Sequence, residues 1–243
     1  MSKKCIIIPA CNEERNIASV IAGIRACCDI DLVVIDDGST DATTAIARES
    51  GALVIRHPFN MGYGAALQTG YKYALGKDYD ILLQMDADGQ HKPEFIPELF
   101  GPVENLECDV AIGSRFLERS QYETGIFKTV AIKLFRQVIR MTTGEHITDP
   151  TSGYQCLNRK VFEFFTEDHF PCDYPDANVI IMLHRSGFRI KEIPVVMLPN
   201  PQARSMHRGA ITITYYFFKV FLSIFVTLIR KNKRTVEGHG GKP

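Results

Sequence analysis

The 243-residue chain has no surplus of either charge, with 28 basic side chains against 28 acidic ones. A protein that coats nucleic acid is usually strongly basic, so neutrality argues against that class. No CxxC pair occurs among the seven cysteines, and their number is odd. Several lie in apolar runs, which reads as reduced, buried thiols rather than a disulfide framework. No secretory leader is expected, because Lys3 and Lys4 precede only three isoleucines before Pro9. Internal repeats and low-complexity tracts are absent. A composition 45% hydrophobic and 23% charged excludes disorder and collagen-like sequence. Tryptophan is missing, which excludes nothing. There is no GxxxxGK[ST] phosphate loop, and the glycines at 62 and 64 lack the third glycine and following acid of a dinucleotide fingerprint. The length suits one large domain or two small ones, with a core that needs neither disulfides nor metal.

The zero total conceals an asymmetry. Residues 1–118 hold 18 acids and 10 bases, net −8, and residues 119–243 hold 10 acids and 18 bases, net +8. The first half alternates regularly. Apolar runs at Cys5–Ile8, Leu32–Ile35, Ala52–Ile55, Ile81–Met85 and Val110–Ile112 read as strands. Segments with helical spacing follow at Asn16–Cys28, Asp41–Ser50, Gly64–Leu75 and Pro93–Phe100. This alternation predicts a mostly parallel sheet with helices on both faces, and ligands beyond the carboxyl ends of its strands. Later, Ile126–Met141 and Ala177–Arg185 read as helices, Thr148–Tyr154 as a turn-rich loop and Ile190–Met197 as a strand.

Polar clusters sit at the predicted strand ends. Asp86 and Asp88 follow Ile81–Met85, one residue apart. Two carboxylates so placed repel unless a cation lies between them, and hard oxygen ligands suit Mg²⁺ or Mn²⁺ bridging phosphates. Gln90 adds a neutral oxygen. A solvated Asp-rich turn is the alternative. Asp36 and Asp37 leave the second strand ahead of Gly38, Ser39, Thr40 and Asp41. A turn with a helix cap accounts for the later residues, while paired acids at the strand exit suit ribose hydroxyls or a base N–H. In Pro9–Glu14, Asn12 is placed to cap a helix, with Glu13 and Glu14 in its first turn. Asn60–Ala66 brings two glycines to a helix start, where backbone can approach a ligand.

Together these clusters resemble the family-two glycosyltransferases, which have the GT-A fold. The PxxNE-type start, DDGSxD, NxGxGxA and DADxQ occur in order across residues 5–92. Gly113-Ser114-Arg115-Phe116 and Asp149–Tyr154 resemble motifs of the polyprenyl-phosphate sugar synthases, the subgroup that includes dolichol-phosphate mannose synthase, and extend the likeness to about residue 208. The resemblance implies that Pro9, Cys11, Glu13, Ile35, Asp37, Asp86 and Ala87 bind the nucleotide sugar, and that Asp86, Asp88 and Gln90 hold the metal and diphosphate. It also implies that Arg115, Lys128, Ser152 and Arg204 face the acceptor phosphate, with Asp88, Asp149 and Arg115 catalytic. Departures exist: Cys11 stands where an aromatic is usual, Gln155 replaces an arginine, and Asn200 and Ala203–Met206 replace a late Arg and Gly-x-Ser-Lys segment.

The expected reaction moves a hexose from a nucleoside diphosphate sugar, UDP- or GDP-linked, to a polyprenyl phosphate with inversion. The acceptor oxygen is already anionic, so it needs cationic positioning more than a base. For a saccharide hydroxyl acceptor, Asp149 is the first base candidate, ahead of Asp173 and Asp176. His91 reads as a loop residue, with a place behind the metal-binding acids as the alternative. Residues 210–229 would extend about 30 Å as a helix. Spanning, interfacial and buried placements are all open for it. Residues 201–235 carry seven bases and no acid, which favours anionic head groups on the cytoplasmic side. The expected organisation is a catalytic domain over 1–208, a membrane-associated helix with a basic end over 209–235 and a tail over 236–243. No nucleic-acid partner is expected, and a homo-oligomer or a membrane-protein partner is left open. An inactive nucleotide-sugar-binding scaffold is the alternative of another class.

Overall fold

The computed structural model describes residues 2–117, 126–171, 175, 177–198, 219 and 222–229, with the side chains of 126–128 excepted. Seven strands form one sheet: β1 (Lys4–Ala10), β2 (Asp31–Asp36), β3 (Leu53–Arg56), β4 (Ile81–Gln84), β5 (Val110–Ser114), β6 (Gln155–Asn158) and β7 (Ile190–Pro194). Their order is β3-β2-β1-β4-β6-β5-β7. All neighbours run parallel except β6, which is antiparallel to both β4 and β5. The helices are α1 (Ile17–Cys27), α2 (Thr43–Glu49), α3 (Tyr63–Gly76), α4 (Ile96–Glu104), α5 (Ile126–Thr143), α6 (Arg159–Phe164) and α7 (Ala177–Arg185).

The period-2 alternation of the strands builds the two cores. Ile6 and Ile8 of β1 and Val34 of β2 join α1 and α4 in one buried cluster. Cys5, Ile7, Val33 and Ile35 face the other way, onto α3, α5, α6 and α7. A mixed α/β sheet covered on both faces therefore stands as expected. β6 was not expected. Its four residues include Gln155 and Asn158, so its apolar signal is short. It is paired with Ile81–Gln84 and with Val110–Ile112, contacts that local sequence does not announce.

The strand order reverses direction at β1, between β2 and β4. This is the switch point where strand-end loops open a crevice in such sheets. The loops after β1, β2 and β4 meet at that rim. One local expectation changes here and another holds. Helix α1 begins at Ile17, so Asn12 does not cap it. Asn12 instead has a φ of 57°, and its Oδ1 accepts hydrogen bonds from the Thr40 N–H and hydroxyl. Asp41 does serve α2, accepting from Thr43 N–H at 3.0 Å.

The expected 209–235 element lies mostly outside the described residues. Residues 222–229 are helical and dock on α7: Ile224 is buried, Asn178 Nδ2 donates to Ser223 Oγ, and Arg185 Nη1 donates to the carbonyls of Thr227 and Leu228. Among the described residues no helix is long and apolar enough to cross a membrane.

Candidate active site

Asp86 and Asp88 follow β4 directly. Asp86 Oδ1 accepts from the Tyr63 hydroxyl at 2.8 Å, and the Asp86 N–H donates to His91 Nδ1 at 3.0 Å. Asp88 Oδ1 accepts from Gln90 N–H at 3.0 Å, which closes a tight turn over Gly89. Glu13, at the end of β1, senses both acids. Burial pushes its carboxyl above the usual range, and Asp88, Asp41 and Asp86 push it further, while a hydrogen bond from Asn16 opposes them. The rim is thus locally anionic. Ala87, between the two acids, is buried.

No three His, Cys, Asp or Glu side chains among the described residues converge into a protein-only metal cage. A hard divalent cation held by one or two carboxylates and sharing its remaining ligands with a diphosphate needs no such cage. Asp86, Asp88 and the amide oxygen of Gln90 fit that donor set.

The second-strand acids have a different fate. Asp36 is fully buried and accepts from Ser39 N–H and the Thr44 hydroxyl, with Arg56 Nε 3.5 Å away. Asp37 Oδ1 accepts from Met61 N–H at 2.8 Å and meets His57 Nδ1 at 2.7 Å, and Oδ2 accepts from Gly62 N–H at 2.9 Å. Asp37 therefore ties the Asn60–Ala66 loop to the end of β2. Gly38 is required there, because with φ at 70° an added Cβ would lie 2.4 Å from the Phe59 carbonyl carbon. Of the other expected nucleotide contacts, Pro9 and Ile35 are buried at the strand ends. Cys11 is half-exposed, its Sγ accepting from Asn60 Nδ2 at 3.2 Å.

A buried ion pair lies beyond β5. Arg115 Nε and Nη2 contact Asp149 Oδ2 and Oδ1 at 2.6 and 2.7 Å, and Arg115 N–H also donates to Oδ2. Asp149 is 0% exposed. The Asp149 carboxylate is thus occupied by Arg115 on both oxygens. The Ser152 hydroxyl donates to the Gly113 carbonyl at 2.6 Å and accepts from Tyr154 N–H, so it too serves the fold. Lys128 lies on α5, but its side chain falls outside the described residues, as do Arg204, Asp173 and Asp176 entirely.

Four further residues shape the site. Glu192 of β7 accepts from Thr148 N–H, Thr148 Oγ1 and Asp149 N–H, bracing the loop that carries Asp149. Arg136 of α5 donates through Nε to the Thr148 carbonyl, and its guanidinium lies 4.9 Å from the Phe116 ring centre. Tyr63 and His91 touch Asp86. His91 is buried, and burial holds its imidazole below the ordinary range although Asp86 and Asp88 favour the proton. Arg136 is signalled by its helical period, and Tyr63 and His91 lie in or beside the Asn60–Ala66 and Asp86–Gln90 clusters, but their bonds to Asp86, like those of Glu192 to Thr148 and Asp149, are set by the fold.

Carboxylates are delivered to the rim of a mostly parallel sheet beside the reversal of strand order, the place where strand-end loops of α/β enzymes hold their ligands. Residues 5–165 match the model for glycosyl transferase family 2, and the chain belongs to that family; it is a glycosyltransferase. It is 32% identical over 166 residues to the polyprenol monophosphomannose synthase of Mycolicibacterium smegmatis, covering 65% of this chain and 62% of that one. It is 26% identical over 245 residues to the UDP-N-acetylglucosamine–dolichyl-phosphate N-acetylglucosaminyltransferase of Methanococcus voltae, covering 93% and 96%. In three dimensions it is similar to glucosyl-3-phosphoglycerate synthase from Mycobacterium tuberculosis, solved with Mn²⁺ and UDP-glucose. The TM-score is 0.72 at 24% identity, over 96% of this chain and 81% of that one, a likeness of fold.

Proposed function

We propose that the protein transfers a hexose from a nucleoside diphosphate sugar to a polyprenyl phosphate, with a divalent metal and inversion at the sugar carbon. The observation that carries this is the placement of Asp86 and Asp88 at the end of β4, next to β1 at the switch point. Relatives named for polyprenol and dolichyl phosphate support the acceptor class, and a neighbour of the same fold solved with Mn²⁺ and UDP-glucose supports the donor class.

Asp86, Asp88 and Gln90 would hold the ion, which would offset charge developing on the departing diphosphate. Ile35 and Asp37 at the end of β2, with Pro9 and Cys11 at the end of the neighbouring β1, are the residues assigned to the nucleoside. A hydroxyl acceptor needs a base, and the first candidate, Asp149, is already bonded to Arg115. A lipid monophosphate brings an anionic oxygen and needs only cations. Arg115, Arg136, Lys128 and Arg204 are the ones assigned to it.

A lipid acceptor requires contact with a membrane surface, here at its cytoplasmic face. On residues 222–229 the side chains of Leu222, Phe225, Val226 and Ile229 recur at helical spacing and are exposed, opposite the docked face. Arg230, Lys231, Lys233 and Arg234 follow in sequence. A peripheral, interfacial placement accounts for both features.

The test incubates the protein with Mn²⁺, radiolabelled UDP- or GDP-hexoses and polyprenyl phosphate. Label entering the organic phase as an acid-labile lipid is the expected result. Label entering only water-soluble glycan would sink the lipid acceptor. A thermal-shift panel of UDP and GDP with Mn²⁺ identifies the base.

A further inference from the structure

We infer that Asp86 is aimed by a two-point clamp, Tyr63 and His91, acting as positioning residues for the metal-binding carboxylate. This rests on the reading of Asp86 as a metal ligand given above.

Three chain segments converge on Asp86. Tyr63, the first residue of α3, donates its hydroxyl to Oδ1 at 2.8 Å. His91 holds the same residue by its main chain, since Nδ1 accepts the Asp86 N–H at 3.0 Å. An acceptor nitrogen carries no proton, so the ring proton of the neutral imidazole lies on Nε2, 3.6 Å from Asp86 Oδ2. The ring cannot turn freely. It stacks on Tyr154, with centres 4.7 Å apart and planes 9° from parallel, and the Tyr154 hydroxyl donates to the Lys92 carbonyl at 3.0 Å. The third segment closes over the carboxylate. A Cβ on Gly153 would lie 2.8 Å from Tyr63 Oη and 3.1 and 3.2 Å from the two Asp86 oxygens.

Tyr63 is itself held from the nucleotide side. Met61 N–H and Gly62 N–H, just before it, both donate to Asp37. The donor-side loop and the metal carboxylate therefore share one rigid connection, Asp37 to the start of α3 to Asp86. Partners of a ligating carboxylate fix its orientation, and losing one typically weakens metal affinity about 10–100-fold. The Tyr63 bond contributes most to the side chain, and the His91 bond contributes most to the backbone that carries it.

The test titrates Mn²⁺ against Tyr63→Phe, His91→Gln, His91→Asn and Asp86→Ala. Thermal shift is followed in the presence of UDP and, in a parallel arm, GDP, with the melting temperature of the ligand-free protein recorded. Tyr63→Phe and His91→Gln are expected to raise the half-saturating Mn²⁺ concentration about 10–100-fold while moving the ligand-free melting temperature little. His91→Asn supplies an oxygen near the position of Nδ1 and is expected to restore most of the wild-type midpoint. An unchanged Mn²⁺ midpoint in both Tyr63→Phe and His91→Gln would overturn the clamp, whatever happens to the melting temperature. A wild-type midpoint in Asp86→Ala would overturn the metal-site reading, and the clamp with it.

Discussion

Arg115 and Asp149, 34 positions apart, are joined by two side-chain contacts of 2.6 and 2.7 Å in a buried site. Removing one partner leaves the other charge buried and unpaired, at a cost of about 3–5 kcal/mol. Asp149→Ala and Arg115→Ala are each expected to lower unfolding stability on that scale in urea titrations. The double variant should lose clearly less than the sum. Additive losses would show that the pair is not coupled.

Gly153→Ala tests the space around Asp86. The new methyl must displace Tyr63 Oη or the carboxylate, since it would stand 2.8 Å from one and 3.1 Å from the other. Turnover is expected to fall about tenfold or more, with the half-saturating Mn²⁺ concentration rising, as for loss of a ligand-orienting contact. Steady-state assays over a Mn²⁺ series read both effects.

Glu13 gives a pH dependence with a defined sign. Burial, then neighbouring acids, raise its folded pKa above the ordinary 4.5. The folded chain therefore holds that proton more tightly than the unfolded chain. The stability this contributes is complete below about pH 4.5 and is lost as pH rises through the raised value. Glu13→Gln should raise the melting temperature of metal-free protein at pH 7 and change it little at pH 4. Added Mn²⁺ should shrink the advantage at pH 7, because a cation near Asp86 and Asp88 also relieves Glu13.

The exposed stripe on residues 222–229 predicts vesicle binding. Phe225 and Ile229 are 59% and 64% exposed, so replacing both by Ser leaves the docked face intact. Burying such a side chain contributes about 1.5–3 kcal/mol, so co-sedimentation with anionic vesicles should weaken about tenfold or more per side chain. Unchanged sedimentation would remove this stripe from the membrane contact.

Alternation of apolar residues was enough to find six of the seven strands, the two helix-covered faces and the polar motifs at the strand ends. Strand alternation places Ile6 and Ile7 in opposite cores wherever the strand is covered on both sides. The motifs also placed Asp36, Asp37, Asp86, Asp88 and Asp149 at strand ends or in the loop beyond. What they could not reveal is which of these carboxylates is already bonded. Asp36, Asp37 and Asp149 are bonded to partners including Thr44, Met61 and Arg115, whereas Asp86 accepts from Tyr63, 23 positions earlier. β6 escaped notice for a related reason: its place between β4 and β5 is set by hydrogen bonds to strands more than 40 residues away. Hydrogen bonding is directional and short-ranged. The chemistry left to each acid is therefore decided only when folding brings distant donors to within 3 Å of it.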